Sequence, residues 1–172
     1  DLSPAGHQPM VSADGRFALV FNGEIYNFAE LRDQLERLGA RFRSSGDTEV
    51  VLQALAHWGA AALDRFNGMF ALAFYDRRER ELLLARDHAG IKPLYYVRSR
   101  GVIRFASEAR MFLADTVPKY DRGSVSSYLQ WGSCPEDCFI FPRTRVVPAG
   151  SWMMVNADTS VESGYYWPEK SY

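Results

Sequence analysis

Phe17-Ala18-Leu19-Val20-Phe21 is a run of strand formers, and it leads straight into Asn22-Gly23-Glu24-Ile25-Tyr26-Asn27 and then a helical pattern from Phe28. No other stretch constrains the chain as much, because extended backbone must give way to helix across an Asn-Gly pair. Two readings stand. In the chemical one, the Asn22 amide and the unhindered Gly23 N–H hold the oxygen of a carbonyl becoming tetrahedral. Glu24 beside them suits a substrate ammonium, and the set suggests acyl chemistry on an amino-acid amide. In the structural one, Asn-Gly is the strongest short hairpin signal. Asn27 is then a helix N-cap with Glu30 completing a capping box.

The chain of 172 residues is long enough for one domain that buries about 70% of its unfolded surface. Its 47% hydrophobic content supports a packed core. A net charge of −1, with Lys and Arg spread along the sequence, gives no electrostatic case for nucleic acid or an anionic membrane. No apolar run has the length of a membrane span and no signal peptide opens the chain, which points to the cytoplasm. Cys134 and Cys138 make neither a disulfide framework nor a zinc site, and read as reduced thiols near a loop. The opening at Asp1-Leu2-Ser3-Pro4 and the end at Trp167 to Tyr172 read as the ends of a piece of a longer protein.

Periodicity predicts a hairpin of residues 9–13 and 16–22 around a type I′ turn at Asp14-Gly15. A helix over 28–38 follows, with Leu31, Leu35 and Leu38 on one face and Gly39 beyond its end. A second helix begins near Asp47 and ends at Gly59, with Val50, Val51, Ala54, Leu55 and Trp58 inward. After a helical turn at Leu63 come strands over 69–75, 81–85, 94–97 and 102–106, a helix over 107–113 and another over 124–131. The last strands are expected over 145–147, 151–155 and 161–167. Sequential hairpins with grouped helices make this an α+β fold, antiparallel sheets covered by helices.

Gly46-Asp47-Thr48-Glu49 opens the second helix. Asp47 there caps a helix, or faces a pocket as a rigid second anion for the ammonium that Glu24 would hold. Together with these runs, Asn67-Gly68-Met69-Phe70-Ala71, the stretch from Arg86 to Tyr96, Phe105-Ala106-Ser107-Glu108 and Arg145 to Gly150 resemble, in order and over nearly the whole chain, the glutamine-hydrolysing domain of asparagine synthetases.

The resemblance implies an N-terminal-nucleophile hydrolase sandwich of two antiparallel sheets between helical layers. It makes residues 1–172 an incomplete type 2 glutamine amidotransferase domain. Asn22 and Gly23 become the oxyanion hole, and Glu24 and Asp47, with backbone near Gly46, bind the α-ammonium of glutamine. The nucleophile is an N-terminal cysteine whose own amine is the base; it and an arginine for the α-carboxylate are expected upstream of Asp1. The fragment alone is therefore expected to be inactive. His88 is read as structural. No cofactor or metal is expected in this domain. ATP and Mg belong to a C-terminal synthetase domain of the same chain, and a homodimer is compatible. Alternatives are another class II amidotransferase, such as an amidophosphoribosyltransferase-like or glucosamine-phosphate synthase protein, or a non-catalytic relative acting as a binding module.

Overall fold

The computed structural model describes residues 6–99, 101–113, 119–133, 139–141 and 143–167. Asp1-Leu2-Ser3-Pro4, Cys134 and Cys138 lie outside them. The elements are β1 (Met10–Val11), β2 (Phe17–Ile25), α1 (Phe28–Arg37), α2 (Asp47–Trp58), β3 (Gly68–Asp76), β4 (Glu81–Arg86), β5 (Tyr95–Ser99), β6 (Val102–Ala106), α3 (Arg122–Trp131), β7 (Thr144–Val146), β8 (Ser151–Val155) and β9 (Val161–Tyr165). A 3-10 turn over Gly59–Arg65 links α2 to β3, and another covers Ala109–Phe112.

Two antiparallel sheets result, as the alternation of apolar residues requires. The larger has the order β1-β2-β3-β4-β8-β9, the smaller β6-β5-β7. Along β3, Phe70, Leu72 and Phe74 join Leu19, Phe21 and Ile25 of β2 in a core shared with Leu31 and Leu35 of α1 and with Val50, Val51, Leu52, Ala54 and Leu55 of α2. The opposite face presents Ala71 and Ala73, which pack with Leu84, Leu94, Val147 and Met153 between the sheets. Helices α1 and α2 thus cover the larger sheet, and the smaller sheet lies on its other face. On that far side the described residues give the Ala109–Phe112 turn and α3, whose Asp121 cap accepts from Ser124 N–H at 2.8 Å and whose Tyr128, Leu129 and Trp131 are exposed.

The chain crosses between the sheets after β4 and again after β7, and one buried residue, Asp87, joins both crossings. Asp87, 1% exposed, accepts N–H bonds from Phe70 (3.1 Å), Ala89 (3.1 Å), Ile91 (2.9 Å) and Lys92 (2.9 Å). Its own carbonyl accepts from the N–H of Gly150, just before β8. The neighbouring Arg86 guanidinium donates to the carbonyls of Lys92, Gly90 and Val147. Gly90 adopts φ +64°, and a Cβ there would lie 3.0 Å from the Arg86 guanidinium carbon. Burial pushes up the pKa of the Tyr166 hydroxyl, which stays protonated and donates to Arg86 O at 2.6 Å.

Four sequence expectations change. The first hairpin turn is not type I′, since only Gly15 of its central pair has positive φ, +73°. Leu38 follows α1 and is exposed, because the helix ends at Arg37 and Gly39 turns the chain away. The helix expected over 107–113 is only the short 3-10 turn. Asn27 occupies the N-cap position of α1, yet its side chain caps nothing there. Its Nδ2 donates instead to Arg65 O (2.9 Å), and its Oδ1 accepts from Asn67 N–H (3.0 Å), clasping the entry to β3.

Replacing Asp87 by Ala strands several buried N–H groups at about 1–3 kcal/mol each. Urea unfolding should therefore show a loss of at least about 3 kcal/mol. At the opposite end of β2 and β3, Arg16 donates to both oxygens of Asp76. The guanidinium, then the N–H groups of Glu79 and Arg78, hold the Asp76 pKa below the usual carboxylate range. A carboxylate with a depressed folded-state pKa stabilises above its unfolded value of about 4 and loses that contribution as pH falls through the folded value. The urea midpoint of the native protein should therefore fall below about pH 4. Asp76→Asn should be less stable at neutral pH and show a flatter acid limb.

Candidate functional site at the open edge of β2

Strand β2 is nine residues long, but β1 pairs only with Leu19 and Ala18. Past that point the N–H groups of Phe21, Gly23 and Ile25 face an edge with no strand among the described residues. Buried or half-buried donors of this kind need partners. Phe21 finds one in the Gln8 side chain, which accepts its N–H at 2.7 Å and donates to its carbonyl at 2.9 Å, so a single glutamine stands in for a strand. Ile25 donates to Asp47 Oδ2 at 2.9 Å.

Gly23 sits between them, opposite Phe70. Phe70 directs its N–H to Asp87 Oδ2 and accepts from Asp87 N–H, so both its main-chain groups point away from β2. Gly23 and Phe70 are thus a non-hydrogen-bonded pair. The Gly23 N–H points to the open edge and bonds to no other described residue. Asn22-Gly23 is not a hairpin turn, because β2 runs through it to Ile25. Glycine is there because the two strands come unusually close. A Cβ at Gly23 would lie 2.2 Å from Met69 O and 2.7 Å from Phe70 Cα, and one at Gly68 would lie 2.2 Å from Glu24 O.

Asn22 and Glu24 share the face of β2 that looks toward the smaller sheet, opposite the core residues Phe21 and Ile25. Both are exposed. The Asn22 amide donates to Ser107 Oγ at 3.1 Å, and Glu24 has no ion pair among the described residues.

Asp47 is the first residue of α2, so it does not cap that helix; Gly46 holds the N-cap position in extended backbone, φ −77° and ψ 164°. The Gly46 carbonyl accepts from Arg32 Nη2 at 3.2 Å. Behind it Glu49, 2% exposed, accepts from the Arg43 N–H and from the Ser44 N–H and hydroxyl. The loop before α2 is thereby moulded from within, and Asp47 is delivered to the end of β2.

Asn22, Gly23 and Glu24 lie on β2, and the Ile25 N–H bond to Asp47 Oδ2 brings the start of α2, with Gly46, to the end of that strand. These two segments carry two donors, an amide N–H₂ and a main-chain N–H, and two carboxylates. Such a set can stabilise negative charge on an oxygen while holding a cationic group a short distance away. His88 lies elsewhere, its ring 4.5 Å from Trp167 and 5.3 Å from Tyr166, in the packing around the Asp87 turn.

Gln8, Glu49, Asn27 and Ser107 were not read from the sequence as parts of this arrangement. Glu49 carried a signal, since Glu three residues after the N-cap is the capping-box position. Gln8 carried none, because a side chain replacing a strand leaves no periodicity.

Alanine at Gly23 should drive its methyl into the Met69 carbonyl and destabilise by about 2–3 kcal/mol in chemical denaturation. Alanine at Gly15 has open space around it and only its positive φ to bear, so its loss should be about 1 kcal/mol.

Residues 1–167 match the family described as a glutamine amidotransferase domain. The chain is 34% identical over 157 residues to asparagine synthetase [glutamine-hydrolyzing] 1 of Bacillus subtilis, covering 91% of this chain and 25% of that one. It is 39% identical over 163 residues to a putative asparagine synthetase [glutamine-hydrolyzing] of Mycobacterium tuberculosis, covering 88% and 25%. The chain thus spans about a quarter of the length of the curated relatives it matches. Its fold is similar to that of a glutamine phosphoribosylpyrophosphate amidotransferase from B. subtilis, with TM-score 0.61, 23% identity and coverage of 92% of this chain and 31% of that one. A glutamine aminotransferase class-II domain protein from Silicibacter pomeroyi gives TM-score 0.55 at 17% identity, with coverage of 90% and 69%.

Proposed function

The chain belongs to the glutamine amidotransferase domain family, and we propose that it is the ammonia-releasing part of a longer, glutamine-dependent asparagine synthetase. The observation that supports this reading is the Gly23 N–H on the edge of β2, without a partner among the described residues and flanked by two N–H groups that side chains have already satisfied. An edge with one donor left over, next to a side-chain amide, suits an oxyanion.

In this proposal the Glu24 and Asp47 carboxylates hold the α-ammonium of glutamine, with Gly46 shaping the backbone around it. That contact sets the side-chain amide beside Asn22 and Gly23. A thiolate adds to the amide carbon, the carbonyl π electrons move onto oxygen, and the Asn22 Nδ2–H and Gly23 N–H stabilise the charge. The amine adjacent to the thiol, having taken the thiol proton, passes it to the amide nitrogen; collapse of the tetrahedral species then expels ammonia and leaves a thioester, which water hydrolyses to glutamate and the free thiol. The thiol, its adjacent amine and a guanidinium for the α-carboxylate are assigned to the longer polypeptide, outside these 172 residues. The acceptor chemistry, converting aspartate to asparagine with ATP and magnesium, is assigned there too, in the cytoplasm. Among the described residues no helix is long and apolar enough to cross a membrane.

The test uses the full-length polypeptide. Asn22→Ala should lower kcat for glutamine hydrolysis by about 10²–10³ with little change in KM. Asp47→Asn is the cleaner probe of substrate binding, because an amide oxygen still accepts the Ile25 N–H while the charge is gone. It should raise KM for glutamine at least about tenfold, as expected for loss of a charged hydrogen bond. Unchanged kinetics in both variants would remove this site from the reaction.

A further inference from the structure

Ser107 ends the Phe105-Ala106-Ser107 run, just past β6 in the smaller sheet, whereas Asn22 sits on β2 in the larger one. They are 85 residues apart in sequence, yet Asn22 Nδ2 donates to Ser107 Oγ at 3.1 Å. Both line a cleft of about 120 Å³ between the sheets, with Val20, Ala71, Ala73 and Phe105 as its apolar walls. Its walls offer the Asn22 carboxamide few polar alternatives, and no other side chain among the described residues hydrogen-bonds it.

A carboxamide on an exposed strand face rotates freely about its last side-chain bond unless something holds it. Stabilisation of an oxyanion depends on donors fixed before charge develops. The amide nitrogen carries two hydrogens. One engaged by Ser107 sets the plane of the group and leaves the other free for a substrate oxygen.

We propose that Ser107 is a positioning residue for glutamine hydrolysis, locking the Asn22 carboxamide so that its second N–H joins the Gly23 N–H at the substrate oxygen. The proposal rests on the glutaminase reading above. Ser107 touches neither substrate nor nucleophile. It acts through Asn22, and it ties that donor to the smaller sheet, so the geometry of the hole depends on how the two sheets sit together.

The experiment is a double-mutant cycle in the full-length polypeptide. Ser107→Ala should lower kcat for glutamine hydrolysis about tenfold, the scale of one neutral hydrogen bond, with KM for glutamine unchanged within about twofold. Ser107→Thr, which keeps the hydroxyl, should restore most of the rate. In an Asn22→Ala background, Ser107→Ala should have no further effect, since the group it positions is gone. Additive losses, an equal fall in the Thr variant, or a change confined to KM would each overturn the proposal. Crystal structures of the parent and Ser107→Ala forms supply an independent readout, with the Asn22 carboxamide ordered against Ser107 in the first and rotated or disordered in the second. An unmoved carboxamide also overturns the proposal. A parent protein that binds but does not hydrolyse glutamine, with the Asn22–Ser107 bond intact, overturns the glutaminase reading and leaves the bond as a contact between sheets.

Discussion

Hydrogen-bonding groups on an unpaired strand edge are the constraint from which the rest of this site follows. β2 outruns β1, and main-chain donors exposed in that way must be satisfied or put to use. Gln8 satisfies one and Asp47 another. Because Asp47 must reach Ile25, α2 has to begin there, and the loop before it must bring the helix to the strand. Glu49 enforces that loop from the inside with its buried carboxylate. The position of the helical layer and the exposure of a single N–H are consequences of the same edge.

A second buried carboxylate does for the sheet crossings what Glu49 does for the helix. Asp87 draws the N–H groups of Ala89, Ile91 and Lys92 around itself while gripping β3 through Phe70. Since Gly150, just before β8, is bonded to the Asp87 carbonyl, the outward and return crossings share one anchor. Phe70 is also the partner of Gly23 across the strand pair. Its main-chain groups turn to Asp87, which is what turns those of Gly23 to the edge. The anchor of the sandwich and the bare donor are thus two ends of one alternation.

Much of this was legible beforehand. Strand and helix periods placed β2, α1, α2, β3, β4 and the later hairpins close to where they lie, because each buries one clean face. Asn22, Gly23 and Glu24 lie consecutively on β2, and Asp47 reaches the end of that strand through the Ile25 N–H. What misled was local chemistry with two valid meanings. Asn-Gly favours a tight turn in isolation, but the close approach of Met69 and Phe70, a tertiary fact, is what demands glycine at 23. Asn27 looked like a cap because caps are local, whereas its partners Arg65 and Asn67 lie some forty residues on. Leu38 fitted the helical face, but the helix stops before it.

Asp47 has a further consequence, one for evolution. The same carboxylate that is suited to an ammonium also closes the β2 edge, and the same glycine that bares a donor also lets two strands meet. Purifying selection on folding alone would hold Gly23 and Asp47 in place. Asn22 and Glu24, exposed and with little structural duty, are free to drift once catalysis no longer matters. In a lineage that abandons the reaction, decay should begin at those two positions and reach Gly23 and Asp47 last, so the order of loss is written into the packing.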